Sequence, residues 1–441
     1  MESLRGFDFV KLRFDADGVL QNGPALQELK SAGATDIVFI AHGFRNDEND
    51  ATGLYDSFLT TFRDQLNNSA FSTVASRKLF VAGIYWPSKP FQETFPGGPV
   101  QTVDPEVAQR EAVRAKLENL KATVARADQE RKLDQAIALL DQVSGSKAAQ
   151  DEFVSLALSL WDHSDPDPTE GADRIRATEG SVLLDKLKVP IIVSTGKSHG
   201  AGGTMPVGGA AAGVGQIGTT EGLGSIFGSV FGRIGLFLNL TTWYVMKNRA
   251  GVVGAAGVAQ AVRDLKITTP AVKVHLAGHS LGGRLMAACA KSLGQTNSHV
   301  ESLSLLEAAF SHYGFSSNNG KGQAGFFRDV IDKNVVTGPI IATYSAQDQV
   351  VGMVYAVASR LASDSVEAVG DATDLYGGIG RNGAQKTAES VTGPLHAVGD
   401  PYHFQISKVT CLDGSGGLIK NHGDVANAFV TYAFASVVSN T

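Results

Sequence analysis

Short apolar runs alternate with amphipathic stretches along most of the 441-residue chain. Such runs are typical of strands buried on both faces of a sheet, and the stretches between them have the apolar spacing of surface helices. Strands are predicted at residues 7–14, 36–41, 78–85, 272–277, 300–306, 335–344 and 402–411. Because strands that alternate with helices form a mostly parallel sheet covered on both faces, the predicted fold class is α/β. Its ligands are expected outside the carboxyl ends of the strands.

Residues 89–239 interrupt this alternation and are predicted to form a cap or lid insertion, which leaves residues 1–88 and 240–441 as the core. The insertion is predicted to be helical over 104–162 and is glycine-rich over 196–235. Glycine loses much entropy on ordering, so the second part favours a mobile lid. An apolar stripe in and around this part is either a lid helix that contacts substrate or a helix packed in the cap. The stripe consists of Leu223, Ile226, Phe227, Val230, Phe231 and Ile234, with Phe227 and Phe231 as the candidate substrate contacts.

The strand at 272–277 leads directly into Gly278-His279-Ser280-Leu281-Gly282, and an amphipathic helix follows. A serine on such a tight strand-to-helix turn is exposed at the end of the sheet, where a base can activate it. Gly278 and Gly282 remove side chains that would collide in the turn, and the helix N-terminus aims N–H groups at developing negative charge. The segment therefore predicts a nucleophile elbow with Ser280 as the nucleophile.

This motif in its context resembles the α/β-hydrolase superfamily, in particular the lipase and esterase-like branch, where Gly-His-Ser-Leu-Gly-Gly is a common form of the elbow. The resemblance extends to the strand that ends in His42-Gly43-Phe44, to Trp86-Pro87-Ser88 and to residues 246–251, which look like a group of large, mostly uncharacterised hydrolases. It implies an α/β-hydrolase fold with an oxyanion hole formed by the backbone N–H groups of Phe44 and Leu281. The residues it implies in supporting positions are His42, Gly43, Gly278, His279 and Gly282.

The resemblance also implies that an acid and then a histidine follow the serine in the chain. Asp348, just after the strand at 335–344, is the expected acid, and Glu307, after the preceding strand, is the alternative. Among the ten histidines, His422 lies in the loop after the last predicted strand and is the expected base. An imidazole there could take the proton from Ser280 and return it to the leaving group.

These residues together predict a serine hydrolase that cleaves a carboxylic ester through an acyl-enzyme. The glycine-rich segment and its phenylalanines favour a lipid or long-acyl ester as the small-molecule substrate. Thioester hydrolysis, amide hydrolysis and acyl transfer need the same residues and stay open. A non-catalytic binding protein on the same fold and a secreted effector that acts on membrane lipid are further alternatives.

Charge and composition narrow the range of partners. The chain has 38 basic and 44 acidic residues, a net charge of −6, and no basic run, which argues against nucleic-acid binding. It has no metal-ligand spacing and no phosphate-loop motif, so no metal or cofactor is expected. Cys289 and Cys411 are expected to be free, buried thiols. Without a signal peptide or a transmembrane segment, a cytoplasmic location with at most transient lipid contact is predicted.

Overall fold

The structure, a computed structural model, describes residues 2–89, 105–124, 126–161, 167–193, 205–206, 227–319, 321–363 and 371–441. Leu223, Ile226 and most of the glycine-rich segment 196–235 lie outside the described residues. Whether that segment forms a lid therefore stays a prediction.

A nine-stranded sheet forms the centre of the described part of the chain. Its strands are β1 (Glu2–Leu4), β2 (Phe7–Arg13), β3 (Asp36–Ala41), β4 (Leu79–Tyr85), β5 (Lys273–His279), β6 (Ser302–Leu306), β7 (Ile340–Tyr344), β8 (Ser390–Pro394) and β9 (Val409–Asp413). Their order in the sheet is β1-β2-β4-β3-β5-β6-β7-β9-β8. Only the β1–β2 pair among these strands is antiparallel. The predicted α/β class with a mostly parallel sheet is confirmed.

Helices cover both faces of this sheet. They are α1 (Gly23–Ser31), α2 (Glu48–Leu66), α3 (Ser72–Ala75), α4 (Pro105–Lys121), α5 (Ala127–Ala138), α6 (Lys147–Leu158), α7 (Ala172–Arg176), α8 (Gly180–Lys186), α9 (Val230–Val252), α10 (Ala259–Thr268), α11 (Leu281–Gly294), α12 (Arg328–Asp332), α13 (Gln349–Ala362), α14 (Ile379–Asn382) and α15 (Ala428–Ser439). None of these described helices is both long and apolar enough to cross a membrane.

Alternate residues of the central strands enter two separate apolar cores, as the two-residue period of a strand requires. In β3, Ile37 and Phe39 belong to the larger core and Val38 and Ile40 to the smaller one. The smaller core lies under α2 and α15, and the larger one lies under α1, α9, α10, α11 and α13 and extends into α4–α6. The predicted insertion thus shares one continuous core with the sheet.

A single helical rod joins the insertion to the sheet. The expected boundary between residues 239 and 240 falls inside α9, which continues through a π-helical turn, Val253–Val258, into α10. Glycines permit the close packing of the turn, because a Cβ on Gly254 would lie 2.0 Å from the Leu285 carbonyl oxygen.

The end of the sheet differs from the prediction. The last strand in the chain is Val409–Asp413, not 402–411, and its register pairs Val409 with Ile340 and Asp413 with Tyr344. The alternating pattern before Val409 belongs to a loop in which Ile406 is exposed. The edge strand β8 was not predicted, because it includes a glycine and a proline, which are both uncommon in strands.

Candidate active site

The loops that follow five of the parallel strands meet at one edge of the sheet. The strand register places Ala41 beside Gly278 and His279 beside Leu306. Because parallel strands share the edge at which their carboxyl ends lie, the residues just beyond them are brought together. These residues are Gly43, Ser280, Glu307, Asp348 and His422.

Ser280 lies on a strained turn between β5 and α11. Its φ of 57° and ψ of −123° are a conformation that residues with a Cβ rarely adopt. The backbone holds this turn firmly: the Ser280 N–H donates to the Leu306 carbonyl at 3.1 Å, and the Ser280 carbonyl accepts from the Ala309 N–H at 2.9 Å. A Cβ on Gly278 would lie 2.2 Å from the Gly282 carbonyl oxygen, and one on Gly282 would lie 2.3 Å from the Ala41 carbonyl oxygen. Both positions therefore require glycine.

Ser280, His422 and Asp348 form a continuous hydrogen-bonded chain. The Oγ of Ser280 is 2.8 Å from Nε2 of His422, and Nδ1 of the same ring is 2.8 Å from Oδ2 of Asp348. Asp348 is fully buried, and its Oδ1 also accepts from the Val351 N–H at 2.9 Å as the N-cap of α13. A carboxylate fixed in this way orients the imidazole and stabilises its protonated form. The arrangement can move a proton from the hydroxyl to the ring and back.

Glu307, the alternative acid, lies near the same imidazole but does not form a hydrogen bond with it. Its Oε2 is 3.9 Å from Nδ1 of His422, beyond hydrogen-bond distance. The side chain is fully buried, and neither carboxyl oxygen has a hydrogen-bond partner. Burial and the nearby Asp348 carboxylate raise the pKa of Glu307 well above its usual value. The geometry therefore favours Asp348 over Glu307 as the partner of His422.

The loop after β3 lies against the serine. A Cβ on Gly43 would be 2.8 Å from Cβ and 3.3 Å from Oγ of Ser280, so the backbone before Phe44 lies directly beside the hydroxyl. Leu281 is the first residue of α11, where backbone N–H groups lack intrahelical acceptors. The structure thus brings both predicted oxyanion donors to the serine's neighbourhood.

The two histidines beside Gly43 and Ser280 have positions that suit support rather than proton transfer. His42 is buried, stacks on Trp86 with ring centroids 5.6 Å apart, and its carbonyl accepts from the Trp86 indole N–H. His279 Nε2 lies 2.7 Å from the His422 carbonyl oxygen and so braces the loop that carries the proposed base. Burial lowers the pKa of His42 to about 4 and that of His279 to about 3, so both rings are neutral near pH 7.

A largely apolar cavity of about 220 Å³ opens onto Ser280 and His422. Its walls come mainly from residues of α9 and α13 that the sequence had not assigned to the site. The lining residues are Phe44, Arg45, Leu236, Asn239, Leu240, Trp243, Ala309, Val350, Val351, Met353, Val354, Tyr355 and Val357. A signal for α13 was present in the sequence, because Asp348 is followed at once by an apolar run that starts at Val350.

The predicted substrate contacts Phe227 and Phe231 do not line this cavity. Both side chains are only 3% exposed and belong to the larger apolar core. Ser229 between them caps α9 by accepting from the Gly232 N–H. In this structure both side chains pack as the cap-packing alternative expects, and the substrate-contact role stays a prediction.

The wall of the cavity is anchored to the insertion by a buried ion pair. Glu170 pairs with Lys247 of α9 and accepts from the Tyr355 hydroxyl at 3.0 Å and from the Ser311 N–H at 2.8 Å. Burial raises the pKa of Glu170 and lowers that of Lys247, opposed in each case by the partner's charge. One carboxyl group thus ties α9, α13 and the loop after β6 together. Sequence reasoning had missed it, because nothing local marks Glu170.

Within the described residues, the atoms of Glu307, Asp348 and His422 lie within 4.8 Å of one another, close enough to hold a metal ion. Both ring nitrogens of His422 are already engaged by Ser280 and Asp348, however. A metal on Nδ1 would replace the hydrogen bond that this nitrogen donates to Asp348, so the arrangement fits proton transfer better than metal binding.

Comparisons of this chain with protein-family models, with curated proteins and with solved structures find no match. The case for a function therefore depends on the geometry of these side chains.

Proposed function

We propose that this protein is a serine hydrolase with an α/β-hydrolase fold that cleaves carboxylic esters through an acyl-enzyme. The observation that carries the proposal is the pair of 2.8 Å contacts that joins Ser280, His422 and Asp348. These three residues come from three loops far apart in the chain. A serine that has a histidine within hydrogen-bond distance, oriented in turn by a buried carboxylate, is the arrangement that activates a hydroxyl for acyl transfer.

The reaction proposed for these residues has two halves. In the first, His422 Nε2 takes the hydroxyl proton as Ser280 Oγ attacks the ester carbonyl carbon, and the imidazolium then protonates the departing alkoxide. In the second, His422 takes a proton from water as the water oxygen attacks the acyl carbon, and the imidazolium returns a proton to Ser280 Oγ as the bond to the acyl group breaks and the acid leaves. Each half passes through a tetrahedral intermediate with a negatively charged oxygen. The backbone N–H groups of Phe44 and Leu281 are proposed to stabilise this oxyanion in both halves.

The apolar cavity supports an acyl chain as the part of the substrate that is bound beside Ser280. Most of its lining side chains are apolar. The polar side chains in the lining are Arg45, Asn239 and the two proposed reacting residues, Ser280 and His422. Burying methylene groups against such walls contributes about 0.8 kcal/mol per CH₂. We therefore propose a lipid or other acyl ester as the substrate.

Thioesterase, amidase and acyltransferase reactions would use the same three side chains and differ only in the leaving group or the acceptor. A non-catalytic binding protein is the alternative from another class, but a complete hydrogen-bonded Ser280-His422-Asp348 chain at the mouth of a cavity favours turnover. The cytoplasmic location stays a prediction.

The test is hydrolysis of nitrophenyl esters with acyl chains of increasing length, combined with labelling by an alkyl phosphonate probe. The proposal expects turnover of at least one ester and a single phosphonate adduct, located on Ser280 by mass spectrometry of peptides. Stoichiometric binding of the esters without turnover and without labelling would instead support the non-catalytic alternative.

A substitution beside the serine tests the oxyanion hole. Gly43→Val would place a branched side chain within about 3 Å of Ser280 Cβ and displace the Phe44 amide, so we expect a loss of roughly 3 kcal/mol of transition-state stabilisation. The measurement is kcat/KM on one ester. Gly53→Val is the matched control, because a Cβ at Gly53 in α2 meets nothing within 4 Å. Unchanged kcat/KM in a folded Gly43→Val protein would show that this loop does not face the acyl carbon.

Two buried leucines on α9 test the acyl pocket. Leu240 lines the cavity and Leu238 does not, while their side chains are 3% and 2% exposed. Leu240→Asn puts an amide where the acyl chain is proposed to lie, so kcat/KM should fall by about tenfold for octanoate and much less for acetate. Leu238→Asn should lower the melting temperature similarly but keep the chain-length profile. Identical profiles for the two variants would refute the acyl assignment of the cavity.

A further inference from the structure

Glu307 has an unusual combination of properties for a residue without a role. It is fully buried, its φ of 44° lies in the left-handed region, and neither of its carboxyl oxygens has a hydrogen-bond partner. A buried polar group without partners destabilises a fold, as does a strained backbone, and the two together are most often found at functional sites. The strain is held in place by packing, because a Cβ on Gly380 would lie 2.4 Å from the Glu307 carbonyl carbon.

The position of the carboxyl group suggests what it does. Its Oε2 is 3.9 Å from Nδ1 of His422, the nitrogen that Asp348 holds at 2.8 Å. A hydrogen bond needs about 2.7–3.2 Å, so a shift of roughly 1 Å would bring Glu307 into bonding distance.

We propose that Glu307 is a positioning residue for the proposed hydrolase, a second carboxyl group that accepts the hydrogen bond from Nδ1–H of His422 whenever Asp348 does not hold it. This inference rests on the proposed function. In the resting protein Asp348 is the acceptor, and burial and the Asp348 charge raise the pKa of Glu307 and so favour its neutral form. When the Asp348 carboxylate is absent, one of those two causes disappears, and Glu307 can ionise beside the imidazole.

The charged and titratable groups around Glu307 are compatible with a transfer of the His422 Nδ1–H hydrogen bond from Asp348 to Glu307. Asp348 comes from the loop after β7, and His422 and Asp424 come from the segment after β9. The guanidinium of Arg381, in α14, donates to the Asp348 backbone carbonyl at 2.9 Å. Removing the Asp348 side chain leaves Asp424 as the remaining acidic neighbour of Glu307 that opposes its ionisation.

A double-mutant cycle tests the proposal. Asp348→Ser removes the acceptor but keeps an oxygen that can cap α13, and Glu307→Gln keeps the shape of the neutral acid. The cycle compares wild type, both single variants and the double variant by kcat on one nitrophenyl ester from pH 6 to about 10. We expect Glu307→Gln to lower kcat by less than about threefold in the wild-type background and by at least about tenfold in the Asp348→Ser background. The residual kcat of Asp348→Ser should also rise with pH, and this rise should vanish in the double variant.

The proposal would be overturned if Glu307→Gln lowered kcat by the same factor in both backgrounds. It would also be overturned if Glu307→Gln left the pH profile of Asp348→Ser unchanged. Asp348→Ala repeats the cycle in case the new serine itself bonds His422, and melting temperatures identify any variant that is not folded. Wild-type activity separates the two hypotheses. If the wild type neither hydrolyses esters nor is labelled at Ser280, the proposed function fails and this inference with it. If the wild type is active and the cycle is additive, only the role of Glu307 fails.

Discussion

Replacing Ser280 with alanine is expected to lower ester hydrolysis by a factor on the order of 10⁴ to 10⁶ while the protein stays folded. The hydroxyl is the proposed nucleophile, and no other side chain in the described residues holds its place against His422 Nε2. The fold should tolerate the change because the Ser280 turn is held by backbone hydrogen bonds to Leu306 and Ala309, which alanine keeps. The measurement is kcat on a nitrophenyl ester, together with the melting temperature.

Ser292→Ala is a suitable control for this variant. Ser292 lies near the end of α11, the helix that Ser280 precedes, and its hydroxyl donates to the Ala255 carbonyl at 2.8 Å. The control removes a serine hydrogen bond from the same element without touching the cavity, so its activity should stay near that of the wild type. If Ser280→Ala kept even a tenth of the wild-type rate in a pure preparation, Ser280 could not be the nucleophile.

The local sequence was enough to predict the turn around Ser280, because a tight strand-to-helix turn has a short sequence signature. Gly278 is required by contacts within the turn itself, whereas Gly282 is required because its Cβ would meet the Ala41 carbonyl at the end of β3. Asp348 and His422 were predicted from the order of acid and histidine that the resemblance implies, applied to positions after predicted strands, and parallel strands bring such positions to one edge. Even with the last strand predicted at 402–411 instead of Val409–Asp413, His422 still came after it.

The cavity could not be predicted in the same way, because its walls come from helices that meet only in the folded protein. Helix α9 is apolar around most of its circumference, so no stripe marks Leu236 or Leu240 as cavity residues. The apolar spacing at Phe227 and Phe231 predicted a helix contact but not its partner, and the partner is the protein's own core. Glu170 is linked to Tyr355 across 185 positions of sequence, a separation at which no local pattern operates.

Asp348→Asn is expected to lower kcat by a factor on the order of 10³ or more. Asparagine is nearly the same shape and can still accept the hydrogen bond from the Val351 N–H through its Oδ1, so the cap of α13 is kept. Its NH₂ group then faces Nδ1 of His422 and donates where the carboxylate accepted. The imidazole must respond by carrying its proton on Nε2, where it can no longer take the proton of Ser280.

Two further variants test whether the loss of kcat is specific to a substitution at Asp348. Asp47→Asn makes the same chemical change at the N-cap of α2, where Asp47 accepts from Asn49 and Asp50 N–H groups and faces no imidazole. It should cost less than about 1 kcal/mol of stability and leave kcat almost unchanged. Glu307→Gln should lower kcat far less than Asp348→Asn, because Glu307 is 3.9 Å from Nδ1 and Asp348 is 2.8 Å from it. The reverse ranking of these two variants on one ester would make Glu307 the acid that orients His422, and Asp348 would then remain only the cap of α13.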